Sequence, residues 1–210
     1  MADTKITSLT ELAEAPASTD LFPVVDVSDT TMAGTGTNKK IQASNLIASA
    51  SETVSGKIEV ATAAETTTGT DAARAVSPDG LAGSAYGYEV VQLKIFDDAT
   101  AVTTGDGKLI FYIPPKLNGW NLVDADAAVS TVSSSGTPTI QIRNITDTQD
   151  MLSTRITIDA NEKTSYTAAA APAINATYDD VATGDEIAID VDVAGTGTKG
   201  LTVLLTFQLP

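Results

Sequence analysis

Apolar and polar residues alternate along several runs between residues 88 and 210 of the chain. Successive side chains of a strand point to opposite faces of a sheet, so this period of two predicts half-buried strands. In the final run Leu201, Val203, Leu205 and Phe207 share one face, and nothing in it blunts a sheet edge, so we expect this strand inside a sheet. The clearest runs are "VVQLKIF", "KLIFYIP", "TIQIRNI", "EIAIDVDV" and "LTVLLTFQL".

Turn-forming residues separate these runs, as in "TTGDGK", "SSSGTP", "VATGDE" and "AGTGTKG". Gly, Asp, Asn and Ser favour tight turns, and the last of these stretches is expected to be a hairpin turn. The longer connection "TAAAAPAINATYDD" is expected to cross from one sheet to another. Roughly eight strands separated by such turns predict an all-β fold with a C-terminal antiparallel β-sandwich, jelly-roll-like in its connections.

The hydrophobic pattern divides the chain into three regions, 1–50, 51–87 and 88–210. The first contains short alternating pieces, "TKITSLTEL" and "LFPVVDV", then a Gly-rich turn and "KIQASNLIASA", a short strand running into a helical turn with Ser44 as a candidate N-cap. It has too few large apolar residues for a core of its own. Pieces this small usually need a partner surface.

The second region contains "ETTTGTDAARAVSP" at residues 65–78, a stretch without an apolar period that predicts neither helix nor strand. Upstream of it, Val54, Ile58 and Val60 allow one short strand, and residues 63–65 allow a helical turn. These apolar groups are too few to close a core within one chain. The region is either a flexible linker or a segment whose copies share their burial between chains.

Composition narrows the functional classes. The 210 residues carry a formal net charge of −15, which disfavours binding to nucleic acid or to an anionic membrane. The absence of cysteine and histidine removes thiolate chemistry and the commonest general base. No apolar run reaches the roughly 20 residues of a membrane span, and no signal peptide is visible. A protein without enzymatic activity, cofactor, nucleic-acid binding or membrane insertion is therefore expected.

Trp120 is the only tryptophan and follows "PPKLNG", at the expected junction of a loop with a strand. Its ring is either part of the core or edge of the sandwich, or an exposed surface for a sugar or a partner. It is the one residue singled out for binding.

Several aspartates lie close in sequence and could offer oxygen ligands to calcium. Alternating acids are also typical of the solvated face of a half-buried sheet, and no calcium-loop pattern is present. Two Gly-rich stretches, residues 33–39 and 194–200, lack the spacing of nucleotide-binding loops. No catalytic, metal-binding or cofactor-binding residue is therefore assigned. The acidic groups are Asp124 with Asp126, Asp190 with Asp192, and Asp179, Asp180 and Asp185.

The middle of the chain resembles the short repeat of bacteriophage tail fibres. The marks lie in "ASETVSGKIEVATAAETTTGTDAARAVSPDGL" at residues 50–81: a Thr-Val-Ser-Gly start, Lys57-Ile58, "VATAAE", "GTDAARAVSP" and a final Pro-Asp-Gly-Leu. The first region is similar to the beginnings of phage structural proteins, with "KITSLTEL", "DLFPVVDV" and "KKIQASNLIAS" in that order.

This resemblance implies a homotrimer that is made in the host cytoplasm and becomes part of the virion. Residues 1–50 would anchor it to other virion proteins of the tail or capsid, and residues 51–87 would form an intertwined trimeric stalk. The distal β-sandwich would project and could contact a glycan of the host surface. A single repeat copy implies a short fibre or spike. Asp71 and Arg74 would pair within or between chains of the stalk.

Other functions remain open at this point. A head fibre or capsid decoration protein is the nearest alternative, because the same features suit attachment to the shell. A carbohydrate-binding or carbohydrate-degrading module is the alternative from a different class. A monomeric extracellular adhesin fragment is disfavoured by the lack of a visible signal peptide.

Overall fold

A computed structural model describes residues 16–46 and 56–210 of the chain. Strands make up most of the regular structure, and the strand pairs within residues 21–42 and 88–210 are antiparallel, so the prediction of a mainly β protein is confirmed. The first part of the chain contains β1 (Leu21–Asp26), β2 (Thr37–Gln42), α1 (Ala43–Leu46), β3 (Glu59–Ala61), α2 (Ala63–Thr68), β4 (Arg74–Val76) and α3 (Pro78–Ala82).

The remainder contains eleven strands and three short 3₁₀ turns, the latter at Ala85–Gly87, Pro115–Leu117 and Ser165–Thr167. The strands are β5 (Tyr88–Ala101), β6 (Gly105–Tyr112), β7 (Trp120–Thr131), β8 (Thr139–Asn144), β9 (Gln149–Asp150), β10 (Leu152–Thr154), β11 (Ile156–Thr157), β12 (Ala173–Ile174), β13 (Asp180–Val181), β14 (Glu186–Val193) and β15 (Lys199–Gln208).

The chain forms two compact units, residues 1–60 with 72–75, and residues 61–71 with 76–210. The predicted division into 1–50, 51–87 and 88–210 stays a prediction. Within the first unit, β1 and β2 form an antiparallel hairpin. The sequence predicted an alternating piece at "LFPVVDV" and a short strand at the start of "KIQASNLIASA", but not their pairing. The helix that follows begins at Ala43, so Ser44 lies inside it and the predicted N-cap at Ser44 is wrong. The predicted strand in "TKITSLTEL" lies outside the described residues.

One lysine holds the loop of this hairpin. Lys39 Nζ lies 2.8 Å from Asp26 Oδ2 and 3.0 Å from Asp29 Oδ2. Hydrogen bonds from the Thr31 backbone and hydroxyl, and then from Lys39, lower the pKa of Asp29 to about 2. Hydrogen bonds from Lys39 and Ser28 lower the pKa of Asp26 as well. Lys39 is exposed and the two aspartates are only half-buried, so polar contacts rather than a core fix the hairpin's loop.

Residues 61–87 owe their local structure to side-chain caps. Thr62 accepts a hydrogen bond from the Glu65 backbone at 3.3 Å, and Glu65 accepts one from the Thr62 backbone at 3.0 Å, which together form a capping box. Ser77 caps α3 through the Gly80 backbone at 3.0 Å. The prediction that residues 65–78 adopt neither helix nor strand is therefore wrong: α2 extends to Thr68, and β4 occupies Arg74–Val76.

Two antiparallel sheets dominate residues 88–210. One has the order β13-β7-β15-β5, and the other has the order β11-β8-β14-β6, with β9 also paired to β8. The final strand β15 lies between β5 and β7, so its predicted position inside a sheet is confirmed. The predicted connection at 167–180 lies between β11 in one sheet and β13 in the other, so the predicted crossing is confirmed; on the way, β12 pairs with β10.

Both sheets contribute to one hydrophobic core. The four alternating residues of β15 are fully buried, as the period of two predicted, and residues of β8 and β14 meet the same cluster. The core's largest fully buried side chains are Phe207, Leu117, Leu122, Ile140, Ile142, Met151, Ile156, Ile158, Ile187, Ile189, Leu201 and Leu205.

The prediction of a hairpin at "AGTGTKG" is wrong. This turn joins β14 to β15, which belong to different sheets and do not pair with each other. Instead it is bound to the neighbouring turn: Thr196 N donates to the Ser135 carbonyl at 2.9 Å and to Ser133 Oγ at 3.0 Å. A short Gly-rich loop can cross between two sheets as readily as it can close a hairpin, and the residue pattern alone does not separate these geometries.

Candidate functional site

Large apolar side chains are exposed along the upstream part of the described chain. Among residues 16–46 and 56–101, Ala61 is the only apolar residue that is buried; every other buried apolar residue lies between Val102 and Phe207. Folding normally removes such side chains from water, so surfaces of this kind mark interaction sites. The exposed large apolar residues are Leu21, Val24, Val25, Val27, Met32, Leu46, Ile58, Val60, Val76, Leu81, Tyr86, Tyr88 and Val90.

Polar contacts attach the segment around α3 to the rest of its unit. Ala85 N donates to Thr67 Oγ1 at 3.0 Å, and the buried Ser84 caps the following turn by accepting from Tyr86 N at 3.2 Å. Leu81 and Tyr86 meanwhile stay 47% and 67% exposed. The backbone is thus fixed while its large apolar side chains remain available to another molecule. The exposed residues Leu81, Tyr86 and Val90, which lie within ten positions of one another in the sequence, are called the Leu81 surface below.

Arg74, predicted to pair with Asp71, lies in β4. Its Nε is 3.2 Å from Glu59 Oε2 in β3, the strand that pairs with β4. The guanidinium therefore joins two short strands within one chain. A role of Asp71 and Arg74 in contacts between chains stays a prediction.

Trp120 is the first residue of β7 and lies opposite Val181 of β13. Val181 is buried, and Trp120 is half-buried and packs against the hydrophobic core. Directly opposite residues of two paired strands share one face of the sheet. This places the Trp120 ring on the core side at the sheet's edge, and its predicted binding role stays untested.

A cavity of about 350 Å³ lies at another place in the same unit and is lined by Asn144, Asp147, Gln149, Tyr178 and Asp180. We call it the Tyr178 pocket. Asn144, at the end of β8, is buried, and its Nδ2 donates to Asp147 Oδ2 at 2.8 Å and to Asp185 Oδ2 at 3.1 Å. These two bonds fix the orientation of the amide at the base of the pocket.

The other walls of the pocket come from separate elements. Gln149 lies in β9, Asp180 begins β13, and Tyr178 ends the crossing connection with its side chain 41% exposed. Among the described residues, the side chains of these three form no hydrogen bond with another side chain or with the backbone. The turn between β8 and β9 contains Thr148 at φ 58°, a left-handed conformation that is rare for a β-branched residue.

Several of the aspartates considered as calcium ligands, beginning with Asp190 and Asp192, have structural partners. Asp190 is buried, and its Oδ1 accepts from Gly107 N at 2.6 Å, so the predicted solvated face is wrong at this residue. Burial is the main cause that raises the pKa of Asp190. Asp192 pairs with Arg155 at 2.6 Å. Within residues 16–46 and 56–210, no three His, Cys, Asp or Glu side chains form a group that could hold a metal ion.

Asp124 and Asp126 belong to β7. Burial, followed by the charge of Asp126, raises the pKa of Asp124. Asp126 Oδ1 accepts from Ser165 Oγ at 2.7 Å, while the same hydroxyl accepts from Ala127 N at 3.0 Å. Ser165 therefore attaches its 3₁₀ turn to β7, which gives Asp126 a structural role.

Comparison with known proteins adds no relationship: no family model, curated protein or solved structure matches this chain. None of the helices in the described residues is long and apolar enough to cross a membrane. The exposed apolar residues and the Tyr178 pocket are therefore the features that bear on function.

Proposed function

We propose that this chain is a non-enzymatic structural protein of a phage virion, a trimeric tail fibre or spike. Residues 1–50 dock on other virion proteins, residues 51–87 form an intertwined stalk, and residues 88–210 form the tip. The observation that carries the proposal is the contrast in burial along the chain. In the described residues upstream of Val102 only Ala61 is buried among the apolar side chains, while more than ten large ones are exposed.

We propose further that the tip is a jelly-roll β-sandwich. Successive long strands alternate between the sheets: β5 and β7 are in one, β6 and β8 in the other, and β14 and β15 are divided in the same way. The last two strands each insert between two earlier ones, which supports the nested connections of a jelly roll. Viral capsid domains commonly use this arrangement.

Association of copies has a clear energetic source. Full burial of a Val, Leu or Phe side chain stabilises by roughly 1.5–3 kcal/mol, so removing the remaining exposed part of one such residue contributes on the order of 1 kcal/mol. The exposed residues between 58 and 90 include Ile58, Val60, Val76, Leu81, Tyr86 and Val90. Their combined burial offsets the loss of translational and side-chain freedom on assembly.

The solution mass of the purified full chain tests the assembly. Light scattering should give about three times 21.5 kDa, and the double variant Leu81→Ser, Val90→Ser should shift the mass towards one chain. Ile110→Ser is the matched control, because Ile110 is also exposed but lies on β6, outside the Leu81 surface. A wild-type chain that is monomeric at micromolar concentration would contradict the stalk.

Attachment to the tail or to the head is a separate question. Electron microscopy of virions carrying a label on the C-terminus of the chain would place the tip. Label along the tail supports a tail fibre, whereas label on the shell identifies a head fibre or capsid decoration protein. An absence of label from purified virions would overturn the virion assignment altogether.

A further inference from the structure

We propose that the Tyr178 pocket binds a saccharide, and specifically a neutral or amine-bearing sugar rather than an anionic one. The inference goes beyond a structural role, because it assigns a ligand class and named residues to the tip. It does not depend on trimer formation, since all residues that line the pocket lie between Asn144 and Asp180 of one chain.

The pocket combines a ring with groups that can both donate and accept hydrogen bonds. Tyr178 presents a partly exposed aromatic ring, which offers an apolar face to the C–H groups of a sugar and a hydroxyl at its tip. Gln149 supplies an amide with a donor and an acceptor. Sugar hydroxyls also donate and accept, so they match this mixed lining better than an apolar ligand would.

The polar groups at the base of the pocket are held in place before any ligand binds, which is typical of a binding site. Asn144 is 2% exposed, and its amide is held by Asp147 and Asp185, so its oxygen and nitrogen keep fixed directions. Asp185 is itself buried and accepts from the Ala182 backbone at 2.8 Å. A ligand that meets fixed polar groups loses less freedom on binding than one that must order them. The volume of about 350 Å³ lies within the range of small-molecule sites.

The charge of the lining determines the sugar class. When ionised, the carboxylates of Asp147 and Asp180 can accept hydrogen bonds but cannot donate them. No described basic side chain lines the pocket. An acceptor-only ligand group, such as a carboxylate, sulfate or phosphate, meets repulsion there, and the chain's net charge of −15 adds to it. Hydroxyl and ammonium groups can donate to these carboxylates. The lining therefore selects neutral sugars and amino sugars and excludes acidic ones.

Titration calorimetry and saturation-transfer NMR of the full chain provide the test. The probes are the methyl glycosides of glucose, galactose and N-acetylglucosamine, then glucosamine, with glucuronic acid and sialic acid as acidic counterparts. At least one neutral or amino sugar should bind, and both acidic sugars should fail. Tyr178→Ala should weaken that binding at least tenfold, whereas Tyr178→Phe should retain most of it because the ring remains.

Tyr166→Ala is the matched control, because Tyr166 is an exposed tyrosine of the same unit that does not line the pocket. It should leave binding unchanged, and the melting temperature of each variant verifies its fold. A second variant, Asp180→Asn, should reduce the preference for glucosamine over glucuronic acid.

Several results would overturn the proposal. They are a lack of binding to every sugar, equal weakening by Tyr178→Ala and Tyr166→Ala, and acidic sugars that bind as tightly as neutral ones. The proposal would also be overturned if Nα-acetyl-lysine amide, which keeps its charged side-chain amine, binds while no sugar does. That result would assign the pocket to a basic side chain of a protein. A monomeric chain that binds sugar through Tyr178 would contradict the stalk and leave this site intact, so the two failures are distinguishable.

Discussion

Gln208 donates a 3.0 Å hydrogen bond from its side-chain Nε2 to the backbone carbonyl of Ala82. The first residue belongs to the central strand β15, and the second is the last residue of α3. A polar bond, rather than a buried leucine, thus joins the capped segment to the sheet. Leu81, next to Ala82 in sequence, is left exposed.

Removal of this bond should loosen the segment without disturbing the core. Gln208→Ala is expected to lower the free energy of unfolding by about 1 kcal/mol, the usual contribution of one such bond. Amide hydrogen exchange should accelerate in residues 83–87. Gln92→Ala, at an exposed position of the neighbouring strand β5, is the control and should leave that exchange unchanged. Unchanged exchange in Gln208→Ala would show that other contacts hold the segment.

Two neighbouring threonines in α2 allow the effect of a tertiary hydrogen bond to be compared with that of a bond within the helix. Thr67 and Thr68 each donate to the carbonyl four residues earlier at 3.0 Å, but only Thr67 also accepts from Ala85 N. Thr67→Ala removes the acceptor of that backbone donor, and because the bond is exposed and water can replace the hydroxyl, it should lower the free energy of unfolding by about 0.5–1 kcal/mol. Thr68→Ala should be near neutral in the same urea titration. Equal effects of the two substitutions would contradict the tertiary role.

The turn between β14 and β15 offers a similar comparison between two glycines. Gly195 and Gly197 have φ values of 70° and 75°, so alanine is strained at both. A Cβ at Gly195 would also overlap the Ser133 side chain and lie 2.9 Å from Thr198 Oγ1, whereas a Cβ at Gly197 meets nothing within 4 Å. Gly197→Ala should cost about 1 kcal/mol. Gly195→Ala should lower the melting temperature distinctly more, and equal losses would contradict this packing.

Burial of Asp190 should make stability depend on pH in a defined direction. Burial is the largest cause that raises its pKa; Asp106 and Asp192 also raise it, while the Gly107 backbone and Arg143 oppose the shift. The folded protein therefore binds this proton more tightly than the unfolded chain. The resulting stabilisation is complete below the unfolded value near 3.8 and is lost as the pH rises through the folded value.

Asp190→Asn removes the cost of ionising a buried carboxylate and keeps an oxygen that can accept from Gly107 N. Its unfolding free energy relative to wild type should therefore increase from pH 3 to pH 7, as measured by denaturant titrations at both values. Asp97→Asn removes the same formal charge at an exposed position and controls for net charge. If the difference in unfolding free energy between Asp190→Asn and wild type is the same at both pH values, the raised pKa of Asp190 is contradicted.

The strands of residues 88–210 could be predicted because their apolar period matches a buried face. The four alternating residues of β15 are the clearest example, since each is fully buried. The short helices upstream depend on caps rather than on apolar faces. Thr62 and Glu65 have the spacing of a capping box, so the sequence does contain a signal for α2 that hydrophobic periodicity cannot detect.

The Tyr178 pocket was less predictable than the strands. Asn144 and Tyr178 come from distant elements that only the sheet topology brings together, and no local pattern links them. Trp120, the only tryptophan and the residue predicted to bind, packs against the core. The nearest sequence signal for the pocket is the Tyr-Asp-Asp stretch at residues 178–180, at the end of the crossing connection.

The position of β15 between β5 and β7 also dictates an order of events during synthesis. Tyr88 pairs with Gln208, more than one hundred positions later, so β5 leaves the ribosome long before its only neighbour in the sheet exists. Pairings this distant in sequence form slowly and leave early strands open to wrong partners. The availability of chaperones that protect nascent β5 would consequently determine how much correctly folded protein the cell obtains.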